Sequence, residues 1–408
     1  MAPSKLRSKA VRAKTTDENG SRRSRTSPLR RVTRHVPPYL QCILWGQAGG
    51  RCEFAGCNRV LWKSSVTQER VNLGQKAHIY SFSEVGPRGN AGLERREINS
   101  LENLLLVCHE CHRKIDRLRD GGRYTVPVLR EMKASHEERI QRVTGIAPEK
   151  KSHVLFYGAN IGQVGSPLNY ESAAAALFPD RYPATDAPIK LGTVNSSFRD
   201  RDTSFWATEA EHLRRKFSQR VGDPLADGDI HHLSVFGLAP QPLLVLLGSL
   251  LTDIIPADVY QLHREPTTWQ WPSSATFPQF IERIPPAFSG APALVLGLSA
   301  TVTEDRVREV LGDDAGIWMV TVEHPHNDVI KSRKQLSELR TLLRRILDRV
   351  KAMRGQKTIL HVFPAASVSS AIELGRVRMP KADMPWLIYD QINARGGFVP
   401  ALSIGDGG

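Results

Sequence analysis

Apolar residues in the C-terminal part of the chain form short runs, and stretches with helical spacing alternate with them. The strand-like runs are residues 154–157, 232–238, 293–298, 317–322, 359–363 and 386–389. The helix-like stretches are residues 207–221, 242–254, 304–311, 332–353 and 370–376. Because alternating strands and helices build parallel sheets with crossover helices, this pattern predicts an α/β architecture of two fused Rossmann-like units.

The N-terminal part has a different pattern and predicts a smaller α+β domain. Residues 76–80 can form a short strand, a helix is expected to begin near Cys111, and residues 126–143 have helical spacing. Pro37 and Pro38 precede this region, and a Gly- and Pro-containing linker follows it. We therefore predict three regions: a tail at residues 1–36, a domain at residues 37–148 and a domain at residues 149–408.

The formal net charge of +14 is concentrated at the N-terminus. Residues 1–36 hold eleven Lys and Arg against Asp17 and Glu18, roughly +9 on a segment rich in Ser and Thr. This composition predicts a disordered tail. Such a basic arm would attract nucleic acid phosphates in a salt-dependent way. The alternative, a segment with no role, stays open.

The sequence predicts a soluble protein of the cytoplasm. The most apolar candidate for a membrane span, residues 243–255, is too short and contains Asp253. The basic N-terminus lacks the apolar stretch of a secretory signal. In a reducing compartment, paired cysteines indicate metal binding more often than disulfides.

Four cysteines occur in two close pairs, Cys52-x4-Cys57 and Cys108-x2-Cys111. Two such pairs predict a structural zinc site with four thiolate ligands and no open position for catalysis. The alternative is a set of buried, reduced cysteines. Cys42 lies outside the pattern and is expected in the core.

Candidate catalytic residues lie between and beside the cysteine pairs. His78 lies within the short strand-forming stretch at residues 76–80 and could act as a general base, because the pKa of imidazole lies near neutral pH. His112 and Asp116 are four residues apart, so a helix would place both on one face to share a divalent cation. Asn103 could hold the loop that carries His78 through its side-chain amide.

The order of His78, Asn103 and His112 around two strands and a helix resembles the ββα-metal motif of HNH endonucleases. The resemblance implies that His78 is the base, that Asn103 orients the loop, and that His112 and Asp116 bind a catalytic ion such as Mg²⁺, Mn²⁺ or Ni²⁺. Many HNH relatives have a further metal ligand just before the base, where this chain has Ala77. His78 could therefore be drawn in as a ligand instead. His109 competes with His112, which is favoured because it alone has an acidic partner one turn later. His136 lies in a charged helical stretch and is expected to be a solvated surface residue.

Basic residues crowd the same region and would suit the phosphates of double-stranded DNA. They are Arg88, Arg95, Arg96, Arg113, Lys114 and Arg117. Because no base-reading pattern accompanies them, cleavage with little sequence preference is expected.

The C-terminal domain contains three distinctive sequence segments, at residues 231–242, 259–271 and 361–390. In their order, over residues 200–395, they resemble the SAVED domain, a fusion of two Rossmann-type units that senses cyclic oligonucleotides. An HNH nuclease joined to SAVED is typical of effectors in cyclic-oligonucleotide-based anti-phage signalling (CBASS), which implies a bacterial cytoplasm. The resemblance implies activation by a cyclic dinucleotide of the cGAMP type, or a trinucleotide, through assembly of a dimer or larger homo-oligomer.

A cyclic nucleotide needs planar side chains for its bases and hydrogen-bond donors for its phosphates. Trp269 and Trp271 would face one side of a strand and form such a platform with Arg264. Residues expected around the other half of the pocket are His361, Pro364, Ala365, Lys381, Tyr389 and Asp390. The alternative for the tryptophans is a place in the core.

Two other functions are compatible with the sequence. One is a ligand-sensing, DNA-binding regulator whose zinc is purely structural. The other is a restriction enzyme that keeps the HNH nuclease and reads modified DNA with its C-terminal domain.

Overall fold

The computed structural model describes residues 35–90, 92–118, 122–159, 168–192, 204–273, 278–392 and 397–405. The basic tail therefore lies outside the described residues except for His35 and Val36. The chain divides into two compact units, Met1–Gln141 and Arg142–Gly408. None of the described helices is long and apolar enough to span a membrane.

The N-terminal unit is built on two strands and the helices around them. Its elements are α1 (Pro38–Gln47), β1 (Gly74–His78), α2 (Arg95–Ile98), β2 (Leu104–Cys108), α3 (His109–Ile115) and α4 (Val126–Thr144), which runs past the division. β1 and β2 are antiparallel, and His78 is paired with Leu104. Every residue of β2 is buried, because this apolar strand forms the centre of the unit's core. α3 follows β2 without a loop, so the three elements form a continuous strand, strand and helix arrangement.

Two expectations for this unit are wrong. Cys42 is exposed. His136 is buried instead of solvated, and its Nε2 lies 3.0 Å from the carbonyl oxygen of Ala48. The charged neighbours of His136 in the sequence therefore do not indicate which way its own side chain points.

The C-terminal unit contains the predicted strands and helices. Its helices are α5 (Tyr170–Leu177), α6 (Phe205–Phe217), α7 (Asp223–Ala226), α8 (Gln241–Leu251), α9 (Glu304–Leu311), α10 (Arg333–Arg354) and α11 (Val368–Arg376). Its strands are β3 (Lys151–Gly158), β4 (Tyr182–Pro183), β5 (Ile189–Lys190), β6 (Leu233–Leu238), β7 (Ala257–Val259), β8 (His263–Arg264), β9 (Thr267–Thr268), β10 (Ile281–Arg283), β11 (Pro292–Gly297), β12 (Gly316–Thr321), β13 (Leu360–Ala365), β14 (Trp386–Ile392) and β15 (Gly397–Ile404).

Two larger sheets organise the described strands of this unit. The first has the order β4-β3-β6-β7 with β5 also paired to β3, and all these pairings are parallel. The second has the order β10-β12-β11-β13-β14-β15, in which the four central strands are parallel and both edge strands are antiparallel. The predicted parallel α/β layers are therefore present.

Helices α8 and α11 pack backbone against backbone at two glycines. A Cβ atom on Gly248 would lie 1.9 Å from the carbonyl oxygen of Ile372, and one on Gly375 would lie 2.0 Å from that of Val245. Only glycine permits this approach. Since α8 follows β6 and α11 follows β13, the contact joins the crossover helices of the two sheets.

Candidate functional site

The four paired cysteines come together in the N-terminal unit. Cys52 and Cys57 lie in the loop after α1, Cys108 ends β2, and Cys111 lies in the first turn of α3. Their Sγ atoms all lie within 4.8 Å of one another. The amide of Cys108 donates a hydrogen bond to Cys52 Sγ at 3.3 Å, and that of Cys111 donates to Cys108 Sγ at 3.4 Å.

This cluster has the dimensions of a zinc site. Bonds of about 2.3 Å in a tetrahedron place sulfur atoms roughly 3.8 Å apart, and the Sγ atoms of Cys57 and Cys108 are separated by 3.9 Å. That distance is far too long for a disulfide. Burial raises the pKa of Cys52 to about 12 and also raises that of Cys111. Burial likewise opposes ionisation of Cys108, but hydrogen bonds from its neighbours lower its pKa. A bound cation would compensate for the burial of thiolates here.

His78 lies at the end of β1 with its ring held by a neighbouring amide. Its Nε2 atom is 3.0 Å from Oδ1 of Asn99, which caps the C-terminus of α2. Its ring also meets that of Phe82 edge-on at 6.1 Å. Asn99 was not among the predicted site residues, because nothing in the spacing shows that α2 brings it to β1.

Asn103 is buried and holds the backbone of the segment that follows His78. Its amide nitrogen donates to the carbonyl oxygens of Tyr80 at 3.1 Å and Ile98 at 2.9 Å. Its amide oxygen accepts a hydrogen bond from the nitrogen of Tyr80 at 2.7 Å. The expected contact between Asn103 and the loop after His78 is therefore present.

His112 and Asp116 lie one helical turn apart at the C-terminal end of α3. Asp116 is the residue just after the helix, and its Oδ2 lies 3.8 Å from Nε2 of His112. Both side chains are about one-third exposed, His112 at 32% and Asp116 at 37%. His109, the competing residue, is exposed at the start of the helix.

Arg88 is not available for phosphate binding, contrary to expectation. Only 3% of its side chain is exposed, and its guanidinium forms an ion pair with Asp116 Oδ1 at 2.9 Å. By contrast, the side chains of Arg96, Arg113 and Arg117 are exposed. Lys114 is also exposed and forms an ion pair with Glu110 at 2.8 Å. The side chain of Arg95 is outside the described residues.

In the C-terminal unit, loops from the two sheets meet at the carboxyl ends of their strands. Gln241 Oε1 accepts from the amide of Ala366 at 2.8 Å, which links the loops after β6 and β13. Gln261 Oε1 accepts from the amide of Ser369 at 3.1 Å. In open α/β sheets, ligands bind at this edge. Both glutamines lie within the distinctive segments of the sequence, but nothing in the sequence indicates a role for them.

A charged cluster lies at the same edge. His263 Nδ1 is 2.8 Å from Asp328 Oδ1, and Lys331 pairs with the other carboxylate oxygen. Burial opposes ionisation of Asp328, but hydrogen bonds from Lys331 and His263 lower its pKa.

The predicted ligand residues of the second half lie toward both ends of β13. Pro364 and Ala365 lie at the carboxyl end of β13, as expected. His361 lies near the amino end of that strand, where its Nδ1 is 2.9 Å from the hydroxyl of Tyr389. Burial lowers the pKa of His361 and raises that of Tyr389, so the pair is neutral near pH 7. Lys381 lies on the loop that enters β14, also on the amino side.

Tyr389 and the neighbouring Asp390 are both within β14. The Tyr389 ring stacks on Phe363 at 4.4 Å and belongs to the apolar core of its sheet face. Asp390 is half-buried. The parallel register of β13 and β14 places Tyr389 at the level of Phe363 and Asp390 at the level of Pro364. Asp390 therefore lies near the carboxyl end of β13, on the side of Pro364 and Ala365.

The tryptophan platform is also absent. β9 ends at Thr268, so Trp269 and Trp271 do not alternate on a described strand. Trp269 is 4% exposed and meets Phe236 edge-on in the core. Trp271 is partly buried against His263. Of the three predicted residues, only Arg264 is exposed.

The carboxyl ends of β6, β7 and β13 lie within a region that matches a known sensor family. Residues 213–404 match the family model of the SMODS-associated and fused to various effectors sensor domain (SAVED). No curated protein matches the chain.

Structural similarity extends to receptors with a SAVED/CARF domain. The Acinetobacter baumannii Cap4 receptor with the cyclic trinucleotide 2'3'3'-cAAA is 15% identical, with a TM-score of 0.41, over 72% of this chain and 61% of that one. The Moraxella osloensis Cap4 receptor is 14% identical, with a TM-score of 0.39, over 72% and 60%. This chain thus spans about 60% of the length of these receptors. By the family match, residues 213–404 are a SAVED domain within the C-terminal unit.

Proposed function

We propose that this protein is an effector endonuclease of a CBASS anti-phage system. A cyclic oligonucleotide binds the SAVED domain, and the N-terminal unit then degrades double-stranded DNA in a metal-dependent, largely non-specific reaction. The observation that carries the proposal is the strand, strand and helix arrangement, in which Asn103 fixes the loop after His78 beside the helix that carries His112. The SAVED family is described as fused to various effectors, and a nuclease is an effector.

The histidine at the end of β1 would act as the general base. If Nε2–H of His78 donates a hydrogen bond to the Asn99 amide oxygen, the other ring nitrogen, Nδ1, is unprotonated in the neutral ring and can accept a proton. That acceptor would take a proton from the water that attacks the phosphodiester. Asn103 holds the backbone after His78 in place. The His78 ring is thereby positioned before the substrate binds, so no free energy is spent on ordering it during the reaction.

The donor atoms of α3 fit a divalent cation. His112 offers an imidazole nitrogen and Asp116 a carboxylate oxygen 3.8 Å away, on a partly exposed face. Mixed nitrogen and oxygen donors suit Mg²⁺, Mn²⁺ or Ni²⁺, with water and phosphate oxygens completing the coordination. When bound, the ion would stabilise negative charge on the phosphate and the leaving oxygen. The four cysteines would hold a separate, structural zinc ion.

The sensor role rests on the carboxyl edges of the two sheets. The loops after β6 and β13 and the segment after β7 meet there through Gln241 and Gln261. The Cap4 structures with cyclic trinucleotides indicate the ligand class to test first. Ligand binding would favour an assembled state, a dimer or larger homo-oligomer, in which two nuclease sites cut opposite DNA strands.

The test is cleavage of plasmid DNA by the purified protein with Mg²⁺ and a panel of cyclic di- and trinucleotides. We expect cleavage only with one messenger, and at least a 1,000-fold loss in His78→Ala, because base catalysis and water orientation are both lost. Sedimentation of the activated protein as a fully active monomer would contradict the assembly step. Absence of cleavage with every ligand would favour the DNA-binding regulator, and cleavage without ligand would favour the restriction enzyme.

A further inference from the structure

Arg88 connects the two halves of the proposed nuclease site. It lies in the loop after β1, and its guanidinium donates from Nη2 to the carbonyl oxygen of His78 at 3.0 Å and from Nε to that of Ile79 at 2.6 Å. From Nη1 it donates to the carbonyl oxygen of Ile115 at 2.9 Å. Its ion pair with Asp116 completes the set. One side chain therefore bonds the end of β1 and the end of α3.

The buried guanidinium of Arg88 holds several acceptors in fixed relative positions. The guanidinium is planar and offers five N–H donors in a fixed arrangement, so it can bond several acceptors at once. The acceptors at Ile115 and Asp116 are at the C-terminus of α3, where a positive charge is favourable. A lysine has a single ammonium group and cannot reach all four acceptors in this geometry.

The backbone of Arg88 supports the same interpretation. Its φ angle is +68°, in the left-handed region that is unfavourable for a residue with a Cβ atom. Such a conformation persists where the surrounding contacts determine it. Here the contacts of its own guanidinium do so, because three of them are to main-chain carbonyl oxygens.

We propose that Arg88 is a positioning residue that fixes the distance between the His78 base and the His112–Asp116 pair. This role rests on the proposed nuclease function. It differs from the phosphate-binding role that the sequence suggested, since a side chain that is 3% exposed cannot bind a DNA backbone. The two roles predict different kinetics. A phosphate ligand contributes to KM and to its salt dependence, whereas a positioning residue contributes to kcat.

The experiment compares Arg88→Lys with Arg113→Gln in the full-length, zinc-containing protein activated by its messenger. For Arg88→Lys we expect kcat to fall roughly 100-fold, because displacement of reacting groups by about 1 Å has this effect. The KM for DNA and its salt slope should stay at the wild-type values. Arg113 is exposed on α3, so Arg113→Gln should leave kcat unchanged, raise KM and reduce the salt slope by about one.

The outcomes separate this role from the nuclease proposal. An inactive wild-type protein would overturn both. An active wild-type protein with normal kcat in Arg88→Lys, or with a change in KM and salt slope alone, would overturn the positioning role only. Melting temperature and zinc content show whether Arg88→Lys is folded. If it is not, Arg88→Gln, which keeps neutral donors for the carbonyl oxygens, replaces it. Loss of folding in both variants would overturn the role, since Arg88 would then act on the stability of the unit.

Discussion

In the N-terminal unit, the proposed catalytic residues lie within residues 78–116 and are carried by adjacent elements. In the C-terminal unit, the contacts at the candidate ligand edge join residues far apart in the chain: Gln241 and Ala366 are separated by 125 positions. The first site can therefore form from local structure, provided that the two strands pair. The second requires that both sheets fold and that their crossover helices pack.

The two units also differ in what stabilises them. The N-terminal core is small and surrounds β2, and its cysteine cluster lies within that core. Small cores commonly need a metal or disulfides. The C-terminal core is continuous across both sheets and their helices, so apolar burial alone can hold it. We therefore expect metal loss to affect one unit and close-packing changes to affect the other.

The largest expected effect is the loss of the proposed structural zinc ion. Structural zinc contributes about 10–16 kcal/mol in small zinc-binding peptides, which matches or exceeds the usual stability of a domain. Cys108→Ser should therefore unfold the N-terminal unit and leave the C-terminal one folded. Hydrogen exchange resolved by segment measures this, as lost protection in β2 with unchanged protection in β6 and β13. Cys42→Ser is the matched control, because Cys42 is exposed and outside the cluster.

A different result would identify the cysteines as a buried, reduced set. In that case the purified protein would contain no stoichiometric zinc by elemental analysis. Cys108→Ser would then cost only what a small core substitution costs, about 1–2 kcal/mol.

The second effect concerns the glycine contact between α8 and α11. Gly375→Ala places a methyl group 2.0 Å from the carbonyl oxygen of Val245 and 2.7 Å from the amide nitrogen of Ser249. Both neighbours are backbone atoms, so the helices must separate, at a cost of about 3 kcal/mol. Denaturant unfolding followed by hydrogen exchange should locate the loss in the C-terminal unit. A weaker response to the messenger should accompany it.

Gly222→Ala is the matched control for this substitution. Gly222 is helical, and the nearest atom to its added Cβ would be the carbonyl oxygen of Phe217 at 3.8 Å. Alanine there should stabilise the unit by about 0.5–1 kcal/mol. Equal losses in both variants would show that the α8–α11 contact has no special importance.

Much of the N-terminal site could be predicted because its geometry follows from spacing. Cysteines three and five positions apart must lie close, and His112 and Asp116 meet because a helix brings residues i and i+4 together. Arg88 and Asn99 could not be predicted in this way. Their roles depend on the path of the loop between β1 and β2, and an arginine beside glycines gives no sign that it is buried.

The C-terminal unit was predictable in its elements but not in its pocket. Apolar runs indicated the strands, since strands of a parallel sheet are buried on both faces. Whether Trp269 points into the core depends on the packing of Phe236, which the local sequence does not contain. His361 is different, because it is the second residue of its strand. The direction of the chain alone would have placed it away from the carboxyl end.

The smallest effect is a pH response of the C-terminal unit through His232. This residue precedes β6, its Nδ1 lies 2.8 Å from the hydroxyl of Ser152, and its Nε2 lies 3.6 Å from Asp258. Burial lowers the pKa of His232 from 6.5 to about 4, although Asp258 opposes this shift. The unfolded chain therefore takes up a proton between pH 6.5 and pH 4 that the folded unit does not bind. The stabilisation is full above pH 6.5 and is lost as the pH falls toward 4.

At pH 5 the unfolding free energy of the C-terminal unit should be lower by about 2 kcal/mol than at pH 7.5 because of His232. His232→Gln removes the titrating group and should flatten the pH dependence of the unfolding free energy of the C-terminal unit by this amount. The exposed neighbour His231 provides the control, because His231→Gln removes an imidazole from the same turn but leaves the Ser152 contact intact. If both variants kept the wild-type slope, the acid response would come from groups other than His232.

Whole-chain fluorescence is unsuitable for this measurement, because tryptophans lie in both units. Segment-resolved hydrogen exchange of β6 is therefore the appropriate readout.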